Sequence, residues 1–248
     1  MSEVVSGRRA VTEAVRAGTA REVLVARGAL RNEGLRAVLA AAGGAKVRVR
    51  EVTRHELDEL APDHRGVVAK VGAEHAPPTL GERDLTSYPF ARDATVVVLD
   101  GVEDPQNLGA AARSAEAAGV AMLVSRTHRA APVTPAAVRA SAGALLYLPH
   151  ARVANIARAI ERLQDAGFFV IGLDGAAEHT VYDEPCPAGR LALVVGSEGA
   201  GMARLVRERC DALVALPMRG RIGSLNAAAS LAAVLYAYVI PSRESTPG

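Results

Sequence analysis

Three short segments of the 248-residue sequence carry polar side chains whose types and spacing could support ligand binding and catalysis. The first segment, residues 100–117, has Asn107 where a helix would start and Arg113 six residues later, within the small, apolar stretch AAARSAEAA. An arginine on a buried face needs a carboxylate or a phosphate as its partner, and we expect Arg113 on or near such a face. Asn107 alone also fits an ordinary helix N-cap.

The second segment, residues 194–202, is the glycine-rich turn VVGSEGAGM. Its glycines follow the pattern G-x-x-G-x-G, which is the reverse of the dinucleotide fingerprint G-x-G-x-x-G, and the segment lacks the lysine of a phosphate-binding loop. A nicotinamide or nucleoside triphosphate site is therefore weakly supported. The turn instead lets the backbone approach a ligand closely, and it carries one carboxylate, Glu198, which we expect to pair with Arg113.

The third segment, residues 216–231, begins as an irregular loop with Pro217 and two glycines and continues into a long Ala/Leu helix. Ser224 is predicted as the N-cap of that helix. Asn226, two residues further on, is placed to hydrogen-bond outward to a ligand from the first turn.

Alternating strands and helices must position these segments. Between residues 93 and 248 the sequence predicts six apolar strands with helices between them, which is typical of a doubly wound α/β domain with a parallel sheet. The predicted strands are ATVVVLD, VAMLVS, ALLYLPH, FFVIGLD, LALVVG and ALVALP. Ligands of such domains bind at the carboxyl ends of the strands, and each of the three segments follows a strand.

Residues 1–72 predict a smaller α/β sandwich with the order αβαβαβ, in which Thr53 and Glu56 form a capping box at a helix start. This part carries 13 Lys and Arg against 9 Asp and Glu, and its net charge of +4 is typical of a module that meets a polyanion. Residues 73–92 contain three prolines and no sustained periodicity, and we predict a linker there.

The composition excludes several classes of protein. Hydrophobic residues make up 50% and charged residues 23% of the chain, which excludes wholesale disorder, and no apolar run reaches the roughly 18 residues of a membrane span. The start MSEVVSGRRA lacks a signal-peptide core. Cys186 and Cys210 lie 24 residues apart without a CxxC pattern, which argues against a disulfide framework or a zinc cluster. We therefore expect a cytoplasmic protein without a metal.

Taken together, the three segments resemble the three motifs of the SpoU (TrmH-type) RNA ribose 2′-O-methyltransferases, which belong to the SPOUT superfamily. The matching patterns are D-x-x-x-D-P-x-N-x-G-A-x-x-R, V-G-S-E-G-x-G and L-P-M-x-G-x-x-x-S-L-N, and the resemblance extends from about Ala94 to Ile240. The N-terminal part is similar to the substrate-binding domain of the rRNA-modifying branch in V-S-G-R-R-A-V-T-E-A-V and D-H-R-G-V-V-A.

The resemblance implies a C-terminal domain with a deep trefoil knot, in which S-adenosyl-L-methionine (SAM) binds in a bent form. It also implies a homodimer whose active site lies at the subunit interface. In that site Arg113 would orient the ribose 2′-hydroxyl or its phosphate, with Glu198 fixing the guanidinium. The implied catalytic residues are Arg113, Asn107, Glu198, Ser224 and Asn226, and the implied cofactor-binding residues are Gly196, Leu216, Met218 and Leu225.

The sequence departs from the family pattern in two places. Ala227 and Ala228 follow Asn226, where the family usually has Val and Ser. Arg65 stands where the family often has Gln, and its charge fits either a contact with RNA phosphate or a solvent-exposed position.

The basic N-terminal domain and the short C-terminal tail favour a guanosine in large-subunit (23S) rRNA as the substrate, with neither DNA nor a membrane as a partner. A tRNA ribose 2′-O-methyltransferase and a thiostrepton-resistance type of rRNA methylase stay open as alternatives. A non-catalytic RNA-binding protein is an alternative of a different class. A nucleotide-dependent oxidoreductase is disfavoured because its glycine fingerprint is absent.

Overall fold

Two β-sheets organise the computed structural model, which describes residues 3–71, 79–183 and 185–241. The chain divides into two compact units. The first unit contains the described residues up to 71 together with residues 133–147, and the second contains the other described residues. None of the helices in these ranges has the length and apolarity that crossing a membrane requires.

The first unit is a four-stranded sheet with helices on both faces. Its elements are β1 (Glu3–Ser6), α1 (Arg8–Arg16), β2 (Ala20–Ala26), α2 (Arg36–Gly44), β3 (Arg48–Val52), α3 (Arg54–Leu60), β4 (Val67–Val71) and α6 (Pro135–Ala140). The strand order is β1-β4-β2-β3, in which β2 and β3 are parallel and the other neighbours are antiparallel.

Side-chain alternation along the strands decides which helix covers which face of this sheet. Leu24 of β2 packs against Leu57 of α3, whereas Val23 and Val25 point to the opposite face, where α1 and α2 contact the strands. Helix α3 begins with the predicted capping box. The Thr53 hydroxyl accepts the N–H of Glu56, and the Glu56 carboxylate accepts the N–H of Thr53 at 2.8 Å, which confirms this prediction.

The second unit is a seven-stranded sheet in which the neighbouring strands pair in parallel. Its elements are β5 (Thr79–Leu80), α4 (Asp84–Ser87), β6 (Thr95–Asp100), α5 (Pro105–Ala117), β7 (Met122–Arg126), β8 (His150–Val153), α7 (Ile156–Asp165), β9 (Phe169–Leu173), β10 (Leu191–Gly196), α8 (Arg204–Arg209), β11 (Ala212–Val214) and α9 (Ala227–Val234), which continues as a π-helix over Leu235–Val239. The strand order is β11-β9-β10-β6-β7-β8-β5. The predicted α/β class with a parallel sheet is confirmed, and the trefoil knot stays a prediction.

Helices cover both faces of the parallel sheet, as its continuous apolar strands require. Val96 and Val98 of β6 share one core with Ile160 of α7. The alternate positions, such as Val97, point to the opposite face, where α9 contacts β10 and packs against α5.

One predicted strand is wrong. The stretch ALLYLPH forms a 3-10 helix over Ala144–Leu146, and the strand of this region is β8, which starts at His150. A short apolar run does not distinguish a buried strand from a buried helical turn. Leu145 and Leu146 are buried in the 3-10 helix, and the positive φ of Gly143 (97°) starts the turn.

The predicted linker over residues 73–92 is too long. Residues 72–78 lie outside the described residues, but Thr79 and Leu80 pair with β8. Leu85 of α4 and Phe90 are buried in the core of the second unit. This stretch therefore contains two elements: β5, which pairing with β8 holds, and α4, which the burial of Leu85 holds.

The prediction of one continuous domain over residues 93–248 also needs correction. Helix α6 packs against β1 and α1 of the first unit. Arg139 of α6 donates to the Ser6 hydroxyl at 3.1 Å and to the Asp63 carboxylate at 3.4 Å. Contacts between residues so distant in the chain leave no periodic signal in the sequence.

A candidate active site at the carboxyl ends of parallel strands

Three neighbouring strands of the second unit end side by side. The last residue of β6, Asp100, lies opposite Gly196, the last residue of β10, and Leu173 at the end of β9 lies opposite Val195. Because parallel strands run in the same direction, the loops that follow them start from one edge of the sheet. The loops after Asp100 and Gly196 carry the first and second predicted segments.

Asp100 ties these loops together. Its side chain is 3% exposed, and its Oδ1 atom accepts a hydrogen bond from Arg126 Nη2 at 2.6 Å. Its Oδ2 atom accepts the N–H of Ala203, the residue before α8, at 2.8 Å. A buried carboxylate needs such partners, so Asp100 holds the end of the glycine-rich turn against β6.

Two backbone hydrogen bonds close the glycine-rich turn. Ser197 and Gly201 each donate an N–H to the carbonyl of the other, both at 3.0 Å. A Cβ atom at Gly196 would collide with the backbone of Gly201, so the close approach of the two arms requires glycine there. The closed turn holds the exposed residue Glu198 at its tip.

Glu198 belongs to an amide–carboxylate cluster with Asn107 and Asn226. Asn107 Nδ2 donates to Glu198 Oε1 at 3.0 Å, and Asn226 Nδ2 donates both to Asn107 Oδ1 at 2.7 Å and to Glu198 Oε1. Asn107 is available for this role because Asp104 caps α5, accepting the N–H of Gln106 at 3.0 Å. The structure thus brings together one residue from each of the three predicted segments.

The N-cap of α9 is Asn226, and the prediction that Ser224 caps this helix is wrong. Asn226 Oδ1 accepts the N–H groups of Ala228 at 2.9 Å and Ala229 at 3.3 Å. The helix starts two residues later than predicted, and Ser224 lies exposed in the preceding loop. One end of the Asn226 amide therefore caps the helix, and the other end joins the amide–carboxylate cluster.

Arg113 lies on the exposed side of α5, and within the described residues it makes neither a hydrogen bond nor an ion pair. The prediction that it sits on or near a buried face is wrong, and it does not pair with Glu198 of its own chain. A helix turns about 100° per residue, and α5 buries a stripe that includes Leu108, Ala112 and Ala115, which points Arg113 away from the core. The acceptor Glu198 Oε1 is taken by two amide donors instead.

A cavity of about 770 Å³ lies beside the cluster. It contains all four predicted cofactor-binding residues in its wall, and also three of the five predicted catalytic residues. These residues are Gly196, Leu216, Met218, Leu225, Glu198, Ser224 and Asn226.

Sequence reasoning missed the part of the wall that follows β9. Leu173 and Asp174 line the cavity, and Asp174 Oδ2 lies 2.7 Å from Arg207 Nε. The signal was present, because FFVIGLD is an apolar strand that ends in an aspartate at the same edge of the sheet.

Comparisons with known proteins agree with this geometry. Residues 94–236 match the model of the SpoU rRNA Methylase family, and residues 4–77 match a model described as RNA 2′-O ribose methyltransferase substrate binding. The chain is 41% identical to an "Uncharacterized tRNA/rRNA methyltransferase" of Mycolicibacterium vanbaalenii over 94% of this chain and 75% of that protein. It is 36% identical to the 23S rRNA (guanosine-2′-O-)-methyltransferase RlmB of Salmonella typhimurium over 95% of this chain and 97% of that protein.

A solved structure of a related methyltransferase has a similar fold. The SpoU methyltransferase AviRb from Streptomyces viridochromogenes, in complex with the cofactor AdoMet, superposes with a TM-score of 0.75 at 31% identity. The superposition covers 98% of this chain and 91% of that one. The second and third motif loops line one cavity, and the first contacts them through Asn107. Together with the family match over residues 94–236, this arrangement shows that the chain belongs to the SpoU rRNA methylase family.

Proposed function

We propose that this protein transfers a methyl group from SAM to the ribose 2′-hydroxyl of a guanosine in large-subunit rRNA. The observation that carries the proposal is the amide–carboxylate cluster, which places polar groups from all three family motifs beside the cavity. The similarity to a 23S rRNA (guanosine-2′-O-)-methyltransferase supports the choice of substrate. In this proposal the first unit binds RNA, the second unit carries out the transfer, and the reaction takes place in the cytoplasm.

The residues around the cavity fit SAM. A volume of about 770 Å³ lies within the range of about 300–1,000 Å³ that is usual for small-molecule sites. Leu173, Leu216 and Leu225 offer apolar surface for a purine ring, and the turn after Gly196 offers backbone polar groups. When bound, SAM supplies a methyl group on a positively charged sulfur.

The side chains of the cluster have to align the ribose oxygen with that methyl group while its proton is removed. Two amide donors hold Glu198 through its Oε1 atom. Within the described residues no donor reaches Glu198 Oε2, and we assign to this oxygen a hydrogen bond from the ribose 2′-hydroxyl. Asn107 and Asn226 then position the carboxylate, and Ser224 contributes a hydroxyl at the cavity wall.

Arg113 acts, in this proposal, in the site of a partner subunit. Helix geometry places it about 9 Å further along α5 than Asn107, and its side chain is exposed without a partner among the described residues. The loop before α9 also exposes the apolar side chain of Ile222, which is outside the cavity lining and which a second copy of the chain would cover. A homodimer would thus supply the guanidinium that orients the 2′-hydroxyl or its phosphate.

Transfer of labelled methyl groups from SAM to purified rRNA and tRNA, followed by nucleoside analysis, tests the reaction and its substrate. We expect 2′-O-methylguanosine in large-subunit rRNA alone. Labelled methyl groups in tRNA would support the proposed methyl-transfer reaction but contradict rRNA as its substrate. A protein that binds RNA but neither binds SAM nor transfers methyl groups would support the non-catalytic alternative.

Mixed dimers test the placement of Arg113. We expect Arg113→Ala and Glu198→Gln each to abolish most activity, and their mixture to regain about a quarter of the wild-type rate, because half the dimers then contain one intact site. If the mixture stays as inactive as its components while mixed dimers form, Arg113 acts within its own subunit.

A further inference from the structure

One face of the sheet in the first unit is only half covered. Helix α3 packs over Leu24, Val52 and Val68, which lie toward one end of β2, β3 and β4. On the same face, the next row beyond α3 is charged. Glu22 of β2 lies directly opposite Arg48 of β3 and opposite Lys70 of β4.

Three cations converge on the single carboxylate of this row. Lys70 Nζ lies 3.3 Å from Glu22 Oε2, while Arg50 Nε and Arg48 Nε lie 3.4 Å and 3.9 Å from Glu22 Oε1. We call these four residues the basic face, and their formal net charge is +2. The Glu22 side chain is 19% exposed, whereas those of Arg48 and Arg50 are 77% and 42% exposed.

The fold does not need this concentration of charge. Exposed ion pairs contribute about 0–1 kcal/mol each, and a second and third cation around one carboxylate also repel each other. The arrangement instead holds the arginines near one carboxylate and leaves their guanidinium N–H groups without a hydrogen bond to any described residue. Such guanidinium groups bind phosphate oxygens in a planar, two-pronged geometry.

The spacing fits a chain of phosphates better than a single anion. Neighbouring strands lie about 4.8 Å apart, so the basic face spans about 10 Å across β4, β2 and β3. Residues 1–72 contain no Phe, Tyr or Trp on which a base could stack. Recognition at this face therefore depends on charge and on the backbone of the nucleic acid.

We propose that the basic face binds the phosphate backbone of the RNA substrate. This inference rests on the proposed function only in taking RNA as the substrate. It assigns RNA binding to the part of this sheet face that borders α3 at Arg50 and extends beyond it to Glu22, Arg48 and Lys70.

The test compares two variants of the full chain that lose the same charge. Arg48→Gln with Arg50→Gln weakens the basic face but leaves Lys70 to pair with Glu22, so the sheet keeps its buried contacts. The control, Arg16→Gln with Arg36→Gln, removes two exposed charges from α1 and α2, which lie on the opposite face of the same sheet.

Filter binding to a 23S rRNA transcript is measured between about 50 and 200 mM salt, with SAM affinity measured by calorimetry. The logarithm of the binding constant falls as log salt rises, and each lost phosphate contact makes this slope less steep by about 0.7–0.9. We therefore expect the slope of the basic-face variant to be less steep by about 1.5 and its affinity for RNA to be about tenfold weaker. The control should stay near the wild type, and SAM affinity should be equal in all three proteins.

An unchanged slope for the basic-face variant would overturn the inference, and so would an equal loss in the control, because net charge alone would then explain the binding. The two proposals can also fail separately. If the slopes differ between the variants as expected but the wild-type protein transfers no methyl group, the proposed reaction is overturned and the basic face is still supported.

Discussion

Asn226 has two functions in the structure, and two substitutions separate them. Its Oδ1 atom caps α9 by accepting two N–H groups, at 2.9 Å and 3.3 Å, while its Nδ2 atom donates to Asn107 and Glu198. Asn226→Ser keeps an oxygen that can cap the helix but removes the amide donor. Asn226→Ala removes both the cap and the donor.

The expected magnitudes follow from these contacts. Loss of an N-cap costs about 0.5–2 kcal/mol, whereas Ser caps about as well as Asn. We therefore expect Asn226→Ala to lower the free energy of unfolding by about 1 kcal/mol and Asn226→Ser to change it little. A hydrogen bond to an ionised group is worth about 1.5–3 kcal/mol when buried, and the exposed position of this cluster reduces it to about 1 kcal/mol. Since 1.36 kcal/mol is tenfold in rate, a loss of about 1 kcal/mol should slow methyl transfer about fivefold in both variants.

Urea unfolding followed by circular dichroism measures the stability, and single-turnover methyl transfer at saturating SAM measures the rate. Wild-type turnover by Asn226→Ser would refute the role of the amide donor. An equal loss of stability in the two variants would refute the role of Asn226 as the cap.

Two further predictions concern buried charge. Burial, followed by the charge of Arg152, lowers the pKa of His150 to about 4 from its ordinary value of 6.5. The unfolded chain therefore binds a proton that the folded chain excludes, and the free energy of unfolding should fall by about 3 kcal/mol as the pH drops from 6.5 to 4. Urea titrations should show this loss in the wild type and not in His150→Gln; equal pH dependence in the two proteins would contradict it. Asp100→Asn should lower the free energy of unfolding by about 2 kcal/mol because it leaves Arg126 half-buried without its carboxylate, and adding Arg126→Met should recover most of that loss. If the stability change of the double variant equals the sum of the changes of the two single variants, the two side chains do not interact.

The sequence by itself determined the elements whose cause is local. The capping box at Thr53 and Glu56 depends on residues three apart, and the apolar runs of β6 and β10 follow from burial on both faces. The motif spacing was enough to identify the family, because glycines and polar residues at strand ends are required by the chemistry of the site. These features need no knowledge of distant contacts.

Where the cause is distant, the prediction failed. The strand β1 was not predicted, because it is four residues long and depends on pairing with β4. Helix α6 was assigned to the wrong unit, since its partner β1 precedes it by more than a hundred residues.

The same division applies to the site. The sequence named Glu198, Asn107 and Asn226, but only the tertiary structure decided that they bind one another. The reason is that Glu198 meets Asn107 across 91 residues and Asn226 across 28, at distances set by the ends of parallel strands. The exposure of Arg113 follows from the rotation of α5 against the core, which depends on α9 and the sheet as well as on α5's own pattern. Residue types and spacing thus specify which groups take part, and the packing of helices on the sheet specifies which of them touch.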